Sequence, residues 1–279
     1  MKTLISLALT LACLTVQAND ELDAVLEALP DEQQARYPYR NPKETLDFLE
    51  VTPGSTVVEA LPGGGWYSKI LIPYLGSKGK LIGMDYNLNI WSNFPFANEE
   101  FKAKRRKWPE TWPQEAGAWH GDEGATIKAI QMGSTPNELT GTVDTILFIR
   151  AMHNLFRFNE KDGPNYLEEA LSDSFRMLKP GGTLGVVQHQ AREDRPDEWA
   201  DGNAGYVKKS AVIDSIIAAG FEFVSESDIN ENPNDQAAEG DIVWRLPPSY
   251  RGSNTDEEKA ELDKIGESHR MTLKFRKPI

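Results

Sequence analysis

The sequence predicts a doubly wound α/β domain: seven strands, the last of them antiparallel, with helices on both faces. Three observations carry this. The stretch Thr56-Val57-Val58-Glu59-Ala60 is a short apolar strand that runs through Leu61-Pro62-Gly63-Gly64-Gly65-Trp66 into a helical segment beginning at Tyr67. Apolar runs at 80–85, 143–149 and 183–189 alternate with segments of helical periodicity, as buried parallel strands joined by crossover helices do. Lys179-Pro180-Gly181-Gly182 closes one such periodic segment, 166–178, and stops the helix before the next strand. With 279 residues, 39% of them hydrophobic, the chain can form one sizeable core of this kind.

Taken in order, the chain begins with a basic residue, Lys2, then a short apolar stretch, then the small-residue site Val16-Gln17-Ala18. That is the pattern of a secretory signal cleaved after Ala18, and its apolar core is too short to span a bilayer. A lipoprotein read through Cys13 is the weaker alternative, because Thr10 stands where a lipobox has leucine. The expected product is a periplasmic or secreted protein, residues 19–279, folded as one domain. It has an N-terminal arm at 19–40 and an insertion or lid at 227–265. Cys13 is the single cysteine, so the mature chain has no disulfide and no cysteine-ligated zinc.

Residues 20–40 read as a short surface helix followed by an arm. Pro42 behind Asn41 opens a helix, and Thr52-Pro53-Gly54 turns into the first strand. The second strand ends in Asp85. Residues 88–119 hold four tryptophans, several prolines and the basic run Lys102 to Lys107. A helix around Phe101 followed by irregular chain is expected there, with the basic run as a solvated face. Gly121-Asp122 follows, then a helix from Ala125. Val143 to Ile149 delivers Arg150-Ala151-Met152-His153-Asn154 to a loop. A helix over 208–219 closes at Gly220, a strand follows at 221–225, and 271–275 is the last strand.

The net charge of −13, one unit more negative once Lys2 leaves with the signal, repels polyphosphate and anionic membranes. Nucleic acid is therefore an unexpected partner. The glycine turn opening a helix suits a nucleotide or nucleoside, since it lets backbone N–H groups approach a ligand and adds the helix N-terminus.

This ordering resembles the class I S-adenosylmethionine-dependent methyltransferases, a Rossmann-like fold. The supporting residues are the Glu59 to Gly65 loop, Asp85 after the second strand, Gly121-Asp122 after the third, Asp144 opening the fourth, and the Leu178-Lys179-Pro180-Gly181-Gly182 turn before the fifth. Pro62 to Tyr67, Arg150 to Asn154, Ile229-Asn230-Glu231-Asn232-Pro233, Trp244-Arg245-Leu246-Pro247-Pro248 and the stretch from Ile265 to Phe275 are similar to one group of exported bacterial methyltransferase-like proteins. The resemblance implies S-adenosylmethionine as cofactor. It implies that Pro62, Gly63, Gly64, Gly65, Trp66 and Tyr67 lie along the cofactor. It also implies that Glu59 orients its ammonium, Asp85 accepts its ribose hydroxyls and Asp122 lies near its adenine. Where this chain has Leu61 the superfamily usually has glycine.

The loop after the fourth strand then supplies the catalytic candidates. His153 is a general base near neutrality, Asn154 fixes the acceptor, and Arg150 holds a carboxylate or phosphate. His189 and Trp244 are candidates for lining a substrate pocket. Each has a structural alternative: His153 as a loop cap, Arg150 paired with Glu59 or Asp85, Trp244 packed on the core. No third ligand accompanies His153 and His189, so no metal is expected. The function implied is methyl transfer to a small-molecule acceptor outside the cytoplasm. The competing function is an exported binding or scaffold protein that keeps the fold. A dinucleotide oxidoreductase ranks last, because Tyr67 and Ser68 stand where its fingerprint has glycine.

Overall fold

A computed structural model describes residues 20–120, 124–159 and 163–279. Helix α1 (20–28), the single turns α2 (Asp31–Gln34) and α3 (Tyr37–Arg40), and α4 (Pro42–Phe48) precede the first strand. The sheet region then runs β1 (Thr56–Ala60), α5 (Ser68–Leu75), β2 (Lys80–Asp85), α6 (Glu99–Gly117), β3 (Thr126–Gln131) and β4 (Val143–Ile149). After it come α7 (His153–Arg157), α8 (Tyr166–Met177), β5 (Leu178–Ala191), β6 (Val207–Lys208), α9 (Lys209–Ala218), β7 (Glu222–Ser227), α10 (Asp256–Ile265) and β8 (Arg270–Arg276). The strand order is β3-β2-β1-β4-β5-β8-β7, with the two-residue β6 pairing on β5. Strands β1 to β5 are mutually parallel, whereas β8 runs antiparallel to β5 and β7.

The two-residue period of a strand divides the core into two layers. Val57, Leu81, Leu147 and Val187 face one layer with Leu46, Leu49, Ile70, Leu71 and Trp112. Their neighbours Val58, Ile82, Ile146 and Val186 face the other, with Leu171, Val212 and Ile216 of α8 and α9. Both faces are covered, which is why these strands read as continuous apolar runs.

Four expectations are corrected. Residues from Ala125 are not helical: Thr126–Gln131 forms β3, paired with β2. Gly121-Asp122 therefore precedes the third strand; both residues lie outside the described ones. The irregular segment after Phe101 is instead one 19-residue helix, α6, running through Pro109 and Pro113. It survives Pro109 because the carbonyl that proline cannot reach, that of Arg105, accepts a hydrogen bond from Gln131 Nε2 at 3.0 Å. Helix α1 lies at the surface as expected: Leu22 and Leu26 are buried on its apolar face, while Asp20, Glu21, Ala24, Glu27 and Ala28 are exposed. Finally, Lys179 to Gly182 does not stand before the strand but bulges within β5, where Val143 pairs Leu178 and Thr145 pairs Thr183. The insertion at 227–265 contains α10, started by a capping box between Thr255 and Glu258.

Candidate functional site

In this strand order β1 leads one way to β2 and its neighbour β4 leads the other way to β5. A crevice opens outside the carboxyl ends of strands at such a reversal, and ligands bind there. The chain is strained on both sides of it. Leu61, just after β1, has φ 50°, and Arg150, just after β4, has φ 58°. Left-handed backbone costs a non-glycine residue about 1–2 kcal/mol, and such strain concentrates at functional sites. Leu61 thus keeps the turn that glycine would adopt, with its side chain packed against the core layer of Val58 and Met84. Gly64 faces open space: a Cβ there would meet nothing within 4 Å. Gly65 is different, since its missing side chain admits the Trp119 ring.

Glu59 and Asp85 end adjacent strands and have different environments. Glu59 is 4% exposed, and Ser68 Oγ donates to its Oε2 at 2.5 Å. Burial raises its pKa to about 7, against the opposing Ser68 hydrogen bond and Arg150 charge. A cation placed beside it would ionise it. Asp85 is fully buried and already engaged. Arg105 Nε donates to Oδ2 at 2.8 Å, a second guanidinium nitrogen reaches Oδ1, and Tyr86 N donates to Oδ1 at 2.8 Å. Burial still raises the Asp85 pKa, because it outweighs the guanidinium. Arg105 is thus no part of a solvated face; it lies 4.7 Å over the Trp91 ring.

The arm closes over the glycine turn. Gln33 Nε2 donates to the Trp66 carbonyl at 2.8 Å, Tyr67 Oη donates to the Arg40 carbonyl at 3.2 Å, and the Arg40 guanidinium lies 4.5 Å over the Trp66 ring. Trp66 and Tyr67 therefore face the arm. Arg40 continues to Glu267, just before β8, which also receives Arg36 at 2.5 Å and Arg270 at 3.1 Å. Burial pushes the Glu267 carboxyl up, but Arg270, Arg40 and Arg150 together hold it below the usual range. Three guanidiniums thus share this carboxylate, with the Arg150 charge nearby. Arg270 Nε is buried without a partner, and Arg150 makes no ion pair with Glu59, Asp85 or any other described residue. The surplus of positive charge suits an anionic group at the crevice.

His153 opens α7 beyond Arg150. Its ring lies 6.1 Å from that of His189 and 5.7 Å from that of Trp244, centroid to centroid. Burial lowers its pKa to about 4, with Arg150 and Arg157 adding to the effect, so the ring is neutral at pH 7. His153, Asn154 and Trp244 line one cavity of 430 Å³, and Trp244 brings the insertion into its wall. His189 does not line it. Its Nδ1 is bound to Ser268 Oγ at 2.6 Å, and burial, with His153 and three arginines nearby, lowers its pKa well below the ordinary value. Among the described residues no group of three His, Cys, Asp or Glu is placed to hold a metal, and no helix is long and apolar enough to cross a membrane. Residues 227–265 are fastened down: Asn230 Nδ2 donates to Thr45 and Thr272 hydroxyls at 3.0 Å, and buried Asp235 accepts from Tyr206 Oη and from His269 N.

Sequence reasoning missed Arg40, Arg105, Glu267 and both cavity arginines, Arg157 and Arg251. The one signal was that Glu267 and Arg270 fall within the stretch from Ile265 to Phe275.

Sheet order, glycine turn and crevice together define the methyltransferase fold. The crystal structure of the [4+2]-cyclase SpnF is similar over 86% of this chain and 80% of its own, with TM-score 0.51 and 16% identity. A complex of the Haloferax volcanii Trm112 methyltransferase activator with a methyltransferase matches with TM-score 0.50 and 16% identity, over 93% of this chain and 98% of that one. No protein-family profile matches the chain. Two curated relatives match in part. Ribosomal RNA small subunit methyltransferase H of Flavobacterium psychrophilum is 36% identical over 70 residues, covering 23% of this chain and 24% of that protein. The Christiangramia forsetii protein of the same name is 35% identical over 77 residues, covering 24% of this chain and 26% of its own length. The chain thus spans about a quarter of the length of the curated relatives it matches.

Proposed function

We propose that the protein is an S-adenosylmethionine-dependent methyltransferase acting on a small-molecule acceptor, exported to the periplasm or beyond after cleavage at Ala18. The observation that carries this is the crevice between β1 and β4: open glycine backbone at Gly63 and Gly64, and beneath it a buried carboxyl, Glu59, poised near pKa 7. That pair fits the amino-acid end of a cationic sulfonium cofactor, whose contribution would be an electrophilic methyl group. Glu59 would hold the ammonium and Arg150 the carboxylate. Asp85 is free to take ribose hydroxyls only when Arg105 releases it. His153, neutral at pH 7, would accept a proton or hydrogen bond from an acceptor in the adjoining cavity, where Asn154 would orient it.

A second reading, an exported binding protein that keeps the fold without the nucleoside, is favoured by one observation, the Asp85–Arg105 pair. SpnF, a cyclase by name, also illustrates that fold does not fix reaction. An RNA acceptor rests on the names of the two partial relatives, and the charge of −13 weighs against it.

Calorimetric titration of S-adenosylmethionine into wild type and Gly64→Val tests the proposal. The valine Cβ has space in the protein, so the variant should fold, and its side chain would fill the crevice. Saturable micromolar binding, lost in the variant, is expected. Absence of binding by folded wild type leaves the binding-protein reading. Methyl incorporation into ribosomal RNA would overturn the small-acceptor reading. The full-length chain retained in the cytoplasm would overturn the export reading, and a secreted chain beginning elsewhere than Asn19 would overturn cleavage after Ala18.

A further inference from the structure

The charge of the cavity beside His153 runs against that of the chain. Arg157 and Arg251 stand in its wall, and no aspartate or glutamate among the described residues lines it, although the protein carries a net charge of −13. Neither arginine forms an ion pair among the described residues. Each lies against aromatic faces instead: Arg157 is 4.6 Å over Phe158 and 5.9 Å over Phe94, and Arg251 is 5.2 Å over Trp244. Ring faces fix a guanidinium in place without consuming its N–H donors. Both planar forks are therefore held ready for an anion, and they match a carboxylate in shape.

Beside His153, Asn154 and Asn203, the rest of the wall is apolar: Phe94, Phe96, Ile242 and Trp244. Phe94 and Phe96 come from the connection between β2 and α6, with ring centroids 5.2 Å apart, and Trp244 comes from the insertion. Phe96 is 61% exposed, a large ring left in water at the rim. The cavity measures 430 Å³, within the range of about 300–1,000 Å³ common for small-molecule sites. Aromatic rings with two unspent cations and no opposing carboxylate select for an aromatic anion over a neutral or cationic molecule.

We propose that this cavity binds a small aromatic carboxylate, with its ring between Phe94 and Trp244 and its carboxylate on Arg157 and Arg251. This names the acceptor class of the proposed function and rests on that reading for any chemistry after binding, though not for binding itself. An acceptor so placed lies beside His153, with a ring hydroxyl as the group the imidazole would face.

The test is calorimetry with 4-hydroxybenzoate and 2-naphthoate, each with and without S-adenosylhomocysteine, on the full protein. At least one of the two acids should bind saturably. Acetate and the neutral isostere 4-hydroxybenzamide should bind at least tenfold more weakly. Arg157→Gln and Arg251→Gln should each weaken the acid roughly tenfold or more, the effect of losing a charge-assisted hydrogen bond, whereas Arg192→Gln, on an exposed pair with Asp194, should not. The proposal is overturned if neither acid binds to folded protein under either condition. It is equally overturned if the amide binds as well as the acid, or if the double Arg157→Gln, Arg251→Gln variant, shown folded by circular dichroism, retains affinity. Cofactor binding without acid binding would defeat this proposal alone. Acid binding without cofactor binding would defeat the methyltransferase reading alone.

Discussion

At the scale of single residues, the site is built from groups held in costly states. Glu59 is a carboxyl kept in the core at 4% exposure, with its pKa raised to about 7. A carboxyl whose folded pKa lies above its unfolded one binds the proton more tightly when folded. Its favourable contribution is therefore present at low pH and is lost as pH rises through the folded value. From 4.5 to about 7 the shift corresponds to roughly 3 kcal/mol withdrawn from stability by pH 8. Glu59→Gln keeps an acceptor for Ser68 and removes the ionisation. Urea unfolding should show the variant more stable than wild type by about 2–3 kcal/mol at pH 8, with most of that difference gone at pH 5. Parallel pH profiles for the two proteins would show that Glu59 does not titrate as described. If S-adenosylmethionine binds, the same variant should bind it more weakly, because the charge that destabilises the free protein is the charge that holds the ammonium. Glu59, the glycines, Arg150 and His153 were legible from sequence because they cluster at strand ends, where topology concentrates ligand contacts. Glu267 was not, because its arm partners lie far along the chain, with Arg40 227 residues away. Arg105 was not, because it sits in a basic run that reads as a solvated face, although its partner Asp85 is only 20 residues away.

At the scale of elements, the parallel strands β1, β2, β4 and β5 were readable because burial on both faces leaves continuous apolar runs. β3 and α6 were not, and each has a physical reason. β3 pairs only with β2 and is half exposed over its first four residues, so Ile127, Ala129 and Ile130 fit a helical spacing as well as a strand's. α6 contains two prolines, which by local rules end a helix; the signal that keeps it going is a side chain from another element. Gln131, the last residue of β3, donates to the carbonyl of Arg105 that Pro109 leaves without its helical partner. Gln131→Ala should therefore cost about 1–2 kcal/mol by leaving that carbonyl unsatisfied. In a Pro109→Ala background the new backbone N–H can reach the same carbonyl, so the cost of Gln131→Ala should shrink. A double-mutant cycle by urea unfolding measures the difference. Strict additivity of the two substitutions would show that Gln131 does not compensate for the proline. Because Arg105 sits one helical turn before Pro109 and grips Asp85, the loss should also loosen the carboxylate at the end of β2.

At the scale of the whole molecule, Glu267 joins the beginning of the described chain to its end. It receives Arg36 and Arg40 from the arm and Arg270 from β8, and through Arg40 it presses the arm onto Trp66 and the glycine turn. Neutralising it leaves Arg36, Arg40 and Arg270 together without their shared anion, beside the Arg150 charge. Removing one partner of a buried ionic cluster typically costs about 3–5 kcal/mol, because the remaining charges stay desolvated. Glu267→Gln should therefore destabilise the protein by roughly that amount at pH 7 and expose the arm to limited proteolysis between α2 and α4 before global unfolding. The pH dependence has the opposite sign to that of Glu59. A carboxyl held below its unfolded pKa, which is about 4.3 for glutamate, contributes stability above that value and loses it as pH falls through the folded pKa. The curves for wild type and variant should thus diverge at neutral pH and draw together in acid. A constant gap between them across that range would mean that packing of the side chain, rather than its charge, secures the arm. If the arm does detach first, ligand binding at the crevice should fall in the same variant while the sheet remains folded, since the wall over Trp66 and Tyr67 is made of residues 33–40.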